Sequence, residues 1–188
     1  PVFVLIHHLE KQAPWDRQSF DRLQALARRR CAQPRPLDRK ALERDAHLLG
    51  ATLLHLLIGD PPPADLERLA SALVRLRALT DLGDHLRRHR PQLPVTELPD
   101  FRDPHQPEQM EALSTSIARE CQAIRVLLGR RQDLRSIPAT VQPGARYAFL
   151  AAGRLLSRIE SAGTDLLASE PRLGLMDRLC LLLSARWR

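Results

Sequence analysis

LTDLGDHLRRHRPQLP, residues 79–94, carries two aspartates along a helix into paired arginines and then breaks at an Arg-Pro-x-Leu-Pro turn. Asp81 and His85 are four apart and Asp84 lies three beyond Asp81, so a helix projects all three towards one side. Carboxylates grouped this way inside an apolar bundle are costly unless they bind a cation or pair with arginines. A helical enzyme needs such a group to hold Mg²⁺ against a diphosphate; a solvated helix face has the same pattern. Asp81, Asp84 and His85 are therefore the candidate metal ligands. Imidazole suits Zn²⁺ better than the hard Mg²⁺ ion, and His89, one turn beyond His85, would then join Asp81 and His85. Arg87, Arg88 and Arg90 are the candidate diphosphate-binding residues, with neutralisation of a helix C-terminus as the plainer role.

Outward from this stretch the apolar residues keep helical spacing. Ala64 to about His89 reads as one long helix with Leu66, Leu69, Leu73, Leu76 and Leu79 facing inwards. Before it, Asp38 caps a helix over 39–58 that stops at Gly59, and Asp60-Pro61-Pro62-Pro63 is a rigid turn. A further helix, capped by Ser19 or Asp16, places Phe20, Leu23, Leu26 and Ala27 on one face. Arg28 to Arg30 form its solvated basic end, and Pro34–Pro36 is a connector. Val2 to Gln12 is a short helix stopped by Pro14. After residue 90 a proline-rich stretch to 107 reads as an ordered surface loop, followed by helices at about 107–129, 141–162 and 174–186. The last is apolar on most faces. No solenoid period and no strand-like alternation is present. The expectation is an all-α protein, one helical bundle over 1–188.

Composition agrees. Of 188 residues 44% are apolar but only 4% aromatic, and the apolar ones are mostly Leu and Ala, which favour helix. The net charge of +7 is carried by arginine, since Lys11 and Lys40 are the only lysines. Arginine-rich surfaces suit phosphates, acidic lipid heads or nucleic acid. A basic nucleic-acid-binding module is the outlying alternative, weakened because no reader motif or aromatic stacking surface accompanies the charge. Cys31, Cys121 and Cys180 have neither ligand nor redox spacing, which points to a reduced, cytoplasmic setting. The opening PVFVLIHHLE is too interrupted for a signal peptide, and Leu48 to Ile58 is too short for a span. Trp187, between Arg186 and Arg188, suits peripheral contact with a membrane surface, and Trp15 packs the other end.

Four stretches, in order, resemble the squalene/phytoene synthase family, the all-α fold that condenses two isoprenoid diphosphates head to head. They are FDRLQALARRRC (20–31) with its proline connector, LERDAHLLGATLLHLLIG (42–59), ALTDLGDHLRRHRPQLP (78–94) and LLSRIESAGTDLLASEPRLGLMDRLCLL (155–182). The third resembles the family's second aspartate-rich motif, Asn-x-x-Arg-Asp-x-x-x-Asp followed by Arg-Arg-Gly-Arg-x-Tyr-Leu-Pro. Asp81 matches its first Asp, while the second falls on His85 with Asp84 beside it. The preceding Arg falls on Thr80, the Asn on Arg77 and a Gln on Val74. A tyrosine of the second stretch falls on Asp45, and the tyrosine after the basic turn on Gln92. Arg87, Arg88 and Arg90 are kept. The chain begins inside the family pattern, so the first aspartate-rich motif would lie upstream, and Pro1 reads as a point within something longer.

The resemblance implies an isoprenoid synthase-type bundle lacking its N-terminal helices, with scaffold residues kept better than reactive ones. It implies weak or no prenyl-diphosphate condensing activity and a helical pocket for an isoprenoid diphosphate, another lipid or a protein partner. The stretch 20–31 is closer to the family branch that assists assembly of respiratory complex I. The alternative is an active Mg²⁺-dependent prenyltransferase completed by the upstream motif. Gly50 and Gly153, each costing about 1 kcal/mol inside a helix, are expected at close helix contacts or a cavity wall. His47 and His55, on one side of an apolar helix, are expected to be hydrogen-bonded core or groove histidines rather than catalytic bases.

Overall fold

Leucines at three- and four-residue spacing can be buried only by packing helix on helix. The computed structural model describes residues 17–33, 35–58, 62–88, 91–98, 106–129, 134 and 137–186. Among them are α1 (Arg17–Ala32), α2 (Arg39–Ile58), α3 (Ala64–Thr80), α4 (Leu82–Arg87), α5 (Pro107–Leu128), α6 (Gln142–Ala162), a 3₁₀ turn (Gly163–Leu167) and α7 (Leu175–Arg186), with no strand among the described residues. The fold is all-α. No helix among these residues is long and apolar enough to cross a membrane. The helix expected over 2–12 lies outside the described residues, as do Trp15, Asp16, Gly59, His89, Arg90 and Trp187.

The central helix is α3, which packs against α2, α5 and α6. Its Leu66, Leu69, Leu76 and Leu79 are buried as the spacing requires, and Leu73 is packed against the same cores. The larger core gathers Leu76, Leu79, Leu82 and Leu86 with Leu113, Ile117 and Ile124 of α5 and Leu156 and Ile159 of α6. Asp38 caps α2, its Oδ1 accepting from the Ala41 N–H at 2.7 Å. Gly163, at φ +52°, ends α6 and turns the chain into the 3₁₀ turn.

Four expectations are corrected. The helix from Ala64 is not continuous to His89 but turns at Asp81 (φ −91°, ψ 7°). The Thr80 hydroxyl donates back to the Arg77 carbonyl at 2.8 Å, a contact that loosens a helix at that point. Ser19 does not cap α1; it is fully buried within it, while Phe20 and Ala27 lie exposed and Leu26 carries the burial. Residues 91–98 are not a surface loop, because Pro91, Leu93, Pro94 and Leu98 are buried and the Val95 and Thr96 N–H groups donate to the carbonyls of Pro36 and Leu37. Proline-rich sequence lacks donors to satisfy, so it can enter a core without a ladder. Gly153 is not at a close contact, since nothing lies within 4 Å of where its Cβ would stand. Gly50 is: a Cβ there would meet Ser71 N at 2.9 Å and Ala70 C at 3.0 Å, so it sets the approach of α2 to α3.

An ion-pair network locks α2, α3, α5 and the 91–98 segment together. Glu120 accepts from Arg75 Nε at 2.5 Å and Nη2 at 2.7 Å, both residues buried. Arg39 donates to Glu120 at 3.1 Å and to both oxygens of Glu97, at 2.8 and 2.7 Å. Burial lowers the affinity of Arg39 for its proton, but bonds to the two carboxylates outweigh this and leave its pKa raised.

Candidate functional site

The turn at Asp81 fixes which way each residue of the opening stretch faces. Leu82 and Leu86 anchor α4 in the core. Gly83 lets that helix lie against the 3₁₀ turn, where a Cβ would stand 3.0 Å from the Leu166 carbonyl oxygen and 3.1 Å from that of Leu167. Held so, α4 presents His85 to a cavity of about 410 Å³ bounded by α1, α2, α3 and α4. Its walls are apolar, formed by Leu26, Leu42, Ala46, Leu49, Val74 and Ala78. Arg30, Asp45, Arg75, Arg77, Asp81, His85 and Gln92 supply the polar lining.

Most of these charges already have partners. Asp81 is held by Arg77 at 2.7 Å, and Arg77 also approaches Glu170 at 3.8 Å. Asp45, buried, is paired with Arg29 at 2.5 Å and Arg30 at 3.3 Å. Within this lining two polar atoms are not satisfied: Nη1 of Arg30 and Nδ1 of His85 are buried without a hydrogen-bond partner. Both residues line the same cavity. Burial lowers the pKa of Arg30, Asp45 raises it in part, and the like charge of Arg29 lowers it further. The cavity thus joins an apolar wall to two arginine-paired carboxylates and to two side chains that each keep a buried nitrogen without a partner.

The candidate ligands are thus divided. Asp81 and His85 face the cavity, whereas Asp84 is exposed, ion-paired with Arg87 one turn on, and lies with it along a separate depression of about 250 Å³. Asp81 stands between the two. Among the described residues no three His, Cys, Asp or Glu side chains form a group that could hold a metal ion. These residues do not fit Mg²⁺: Asp81 and Asp84 are each taken by an arginine, and the third position offers nitrogen. Arg88 is exposed beyond α4. His47 is exposed beside a groove between α2, α3 and α5, and His55 is part-buried on α2.

Besides Asp84 and the kept arginines, of which Arg87 and Arg88 lie away from this cavity, the resemblance to the squalene/phytoene synthase pattern aligns seven positions with reactive or neighbouring residues. Six of them, Asp45, Val74, Arg77, Asp81, His85 and Gln92, line this one cavity. The seventh, Thr80, is bonded to the Arg77 carbonyl instead. Arg30 and Arg75 are additional. A reading of Arg28 to Arg30 as one solvated end holds for exposed Arg28, but Arg29 and Arg30 turn inward to Asp45. Arg75 gave a signal that sequence reading passed over: it is a charge beside Leu76 on the inward face of α3. Comparison with family models, with curated proteins and with solved structures finds no match to this chain.

Proposed function

We propose that this is a squalene/phytoene synthase-like protein with weak or no prenyl-diphosphate condensing activity, which binds an isoprenoid diphosphate or another anionic lipid in the cavity between α1 and α4. One observation carries the reading. Six positions that the resemblance aligns with the family's reactive region, Asp45 from one stretch and Val74 to Gln92 from another, line one apolar cavity. Val74, Arg77, Asp81 and His85 share a side by helical spacing, so the weight falls on Asp45 of α2 and Gln92, which reach the same cavity from outside that helix pair.

The chemistry at those positions favours holding over ionising. Ionisation of an allylic diphosphate needs divalent cations on carboxylates, and the carboxylate of Asp81 is neutralised by Arg77. In this reading the side chains of Arg30 and His85, each with a buried nitrogen that lacks a partner, turn that nitrogen to an anionic head, with Leu26, Leu42, Leu49 and Val74 against the chain. Calorimetric titration with farnesyl diphosphate, with and without Mg²⁺, tests this. The expected result is binding of similar strength in both conditions, weakened about tenfold or more by Arg30→Ala through loss of a charged hydrogen bond. Binding seen only with Mg²⁺, and lost in Asp81→Asn, would restore the transferase alternative. No binding in either condition would remove the isoprenoid diphosphate.

A further inference from the structure

The last helix is packed with its larger apolar face outwards. Leu175, Met176, Leu179, Leu182 and Leu183, spaced at one helical stripe, are between 46% and 74% exposed. The inner face is slight: Leu181 is half-buried, Ala185 is buried, and Asp177 binds Arg154 at 3.4 Å and Arg158 at 2.5 Å on α6. A stripe of this kind on a single convex helix leaves unburied the apolar area that folding would normally remove from water.

We infer that α7 docks in the plane of an anionic lipid bilayer. Charge selects this occupant. Asp177, the only acidic residue of α7, is turned inward to its arginines, so the outer face carries no carboxylate. Arg178 flanks the stripe and is exposed, with no ion pair to any described residue, while Arg172, exposed before the helix, is paired with Glu170 at 2.5 Å. Apolar side chains bordered by arginine match the boundary between acyl chains and anionic headgroups. A second copy of the chain would bring the same arginines face to face on two bodies of charge +7. A cavity of about 400 Å³ opens beside α7, with Leu73, Tyr147 and Leu155 in its lining and Arg172, Arg178 and Glu170 also along it. Docking of α7 brings its mouth to the lipid surface. This inference is independent of the cavity at His85.

Co-sedimentation of the whole chain with vesicles tests it. Vesicles of phosphatidylcholine mixed with phosphatidylglycerol should bind the chain about tenfold or more strongly than phosphatidylcholine alone, and added salt should weaken the binding. Leu179→Glu with Leu183→Glu, both at exposed positions, should leave helix content and unfolding midpoint unchanged and reduce binding about tenfold or more. Arg178→Glu should remove most of the preference for the anionic lipid without touching the apolar stripe. Three results would overturn the inference. They are no binding to either vesicle, equal binding by the double glutamate variant, and a stable dimer in solution that this variant dissociates.

Discussion

Glu120→Ala removes the anion at the centre of the buried network and is the sharpest test of how this fold is held. Arg75 and Glu120 side chains are 2% and 3% exposed, and the pair is joined by two bonds of 2.5 and 2.7 Å. Loss of the carboxylate strands the Arg75 guanidinium out of water. Glu43 is 3.8 Å from it but half-exposed, so it cannot substitute, while Arg39 keeps both bonds to Glu97. Breaking a buried pair from one side costs about 3–5 kcal/mol. At about 2–4 °C per kcal/mol for a chain of this size, the unfolding midpoint should fall by about 6–20 °C. Urea titration followed by circular dichroism measures the same loss at equilibrium. The control is Glu120→Met with Arg75→Met, which removes both charges and fills the space. It should be far less damaging than the single change, because most of the penalty belongs to the orphaned charge and not to the lost bond. A single-variant cost under about 1 kcal/mol, the value of an exposed pair, would refute the burial of this network.

Leu76→Ala, on the buried face of α3, should cost about 2–5 kcal/mol by denaturant titration; a cost near zero would mean that α3 is rotated. The two helical glycines should respond with opposite sign. Gly50→Ala drives a methyl into the α3 backbone and should cost about 1–3 kcal/mol, whereas Gly153→Ala meets open space and should gain up to about 1 kcal/mol in thermal unfolding. Burial, reinforced by the charges of Glu160 and Glu120, pushes the Cys121 thiol up to about 12. Of the three cysteines, exposed Cys31 and Cys180 should therefore react at once with a thiol reagent at neutral pH and Cys121 only on unfolding; rapid loss of all three would contradict this packing. The Gly174 N–H, with Arg158 and Arg154, holds the Asp177 carboxyl below its usual range. Its folded pKa is depressed, so its hold on α7 is complete above the unfolded carboxylate value and lost as pH falls through the lower folded one. Amide exchange in 175–186 should quicken over that acid window relative to α6, and Asp177→Asn should abolish the pH dependence.

The helices were legible because apolar period and stop signals agree: Asp38 and the spacing after it place α2, and the ends of α5, α6 and α7 fall within a residue of expectation. Legibility failed where tertiary contacts overrule local pattern. Nothing local in Gly50 and Gly153 separates them; what separates them is the backbone of α3 against one and open space beside the other. Prolines near residue 91 signal a break in helix, and only the neighbouring 36–37 backbone decides that the break is buried. The turn at Asp81 rests on a threonine hydroxyl and on Gly83 fitting against carbonyls more than eighty residues away in sequence. The network around Glu120 joins residues up to 81 apart, yet it left one trace: Glu120 falls between Ile117 and Ile124 on an apolar stripe, where an unpaired carboxylate could not stay.

For the site, the turn at Asp81 is the deciding step. On a straight helix Asp81, Asp84 and His85 share a side and suggest a cation. After the turn, Asp84 leaves with Arg87, and the cavity retains two carboxylates, Asp45 and Asp81, both already paired with arginines, beside a histidine. That changes the sign of what the cavity favours. Its unsatisfied groups are an arginine nitrogen and an imidazole nitrogen, and both can donate to an anion. The same stretch that first suggests a Mg²⁺ clamp thus folds into part of the seat proposed here for an anion. Arg30, which local sequence assigns to a solvated helix end, turns inward to Asp45 and becomes the residue on which the proposed seat most depends.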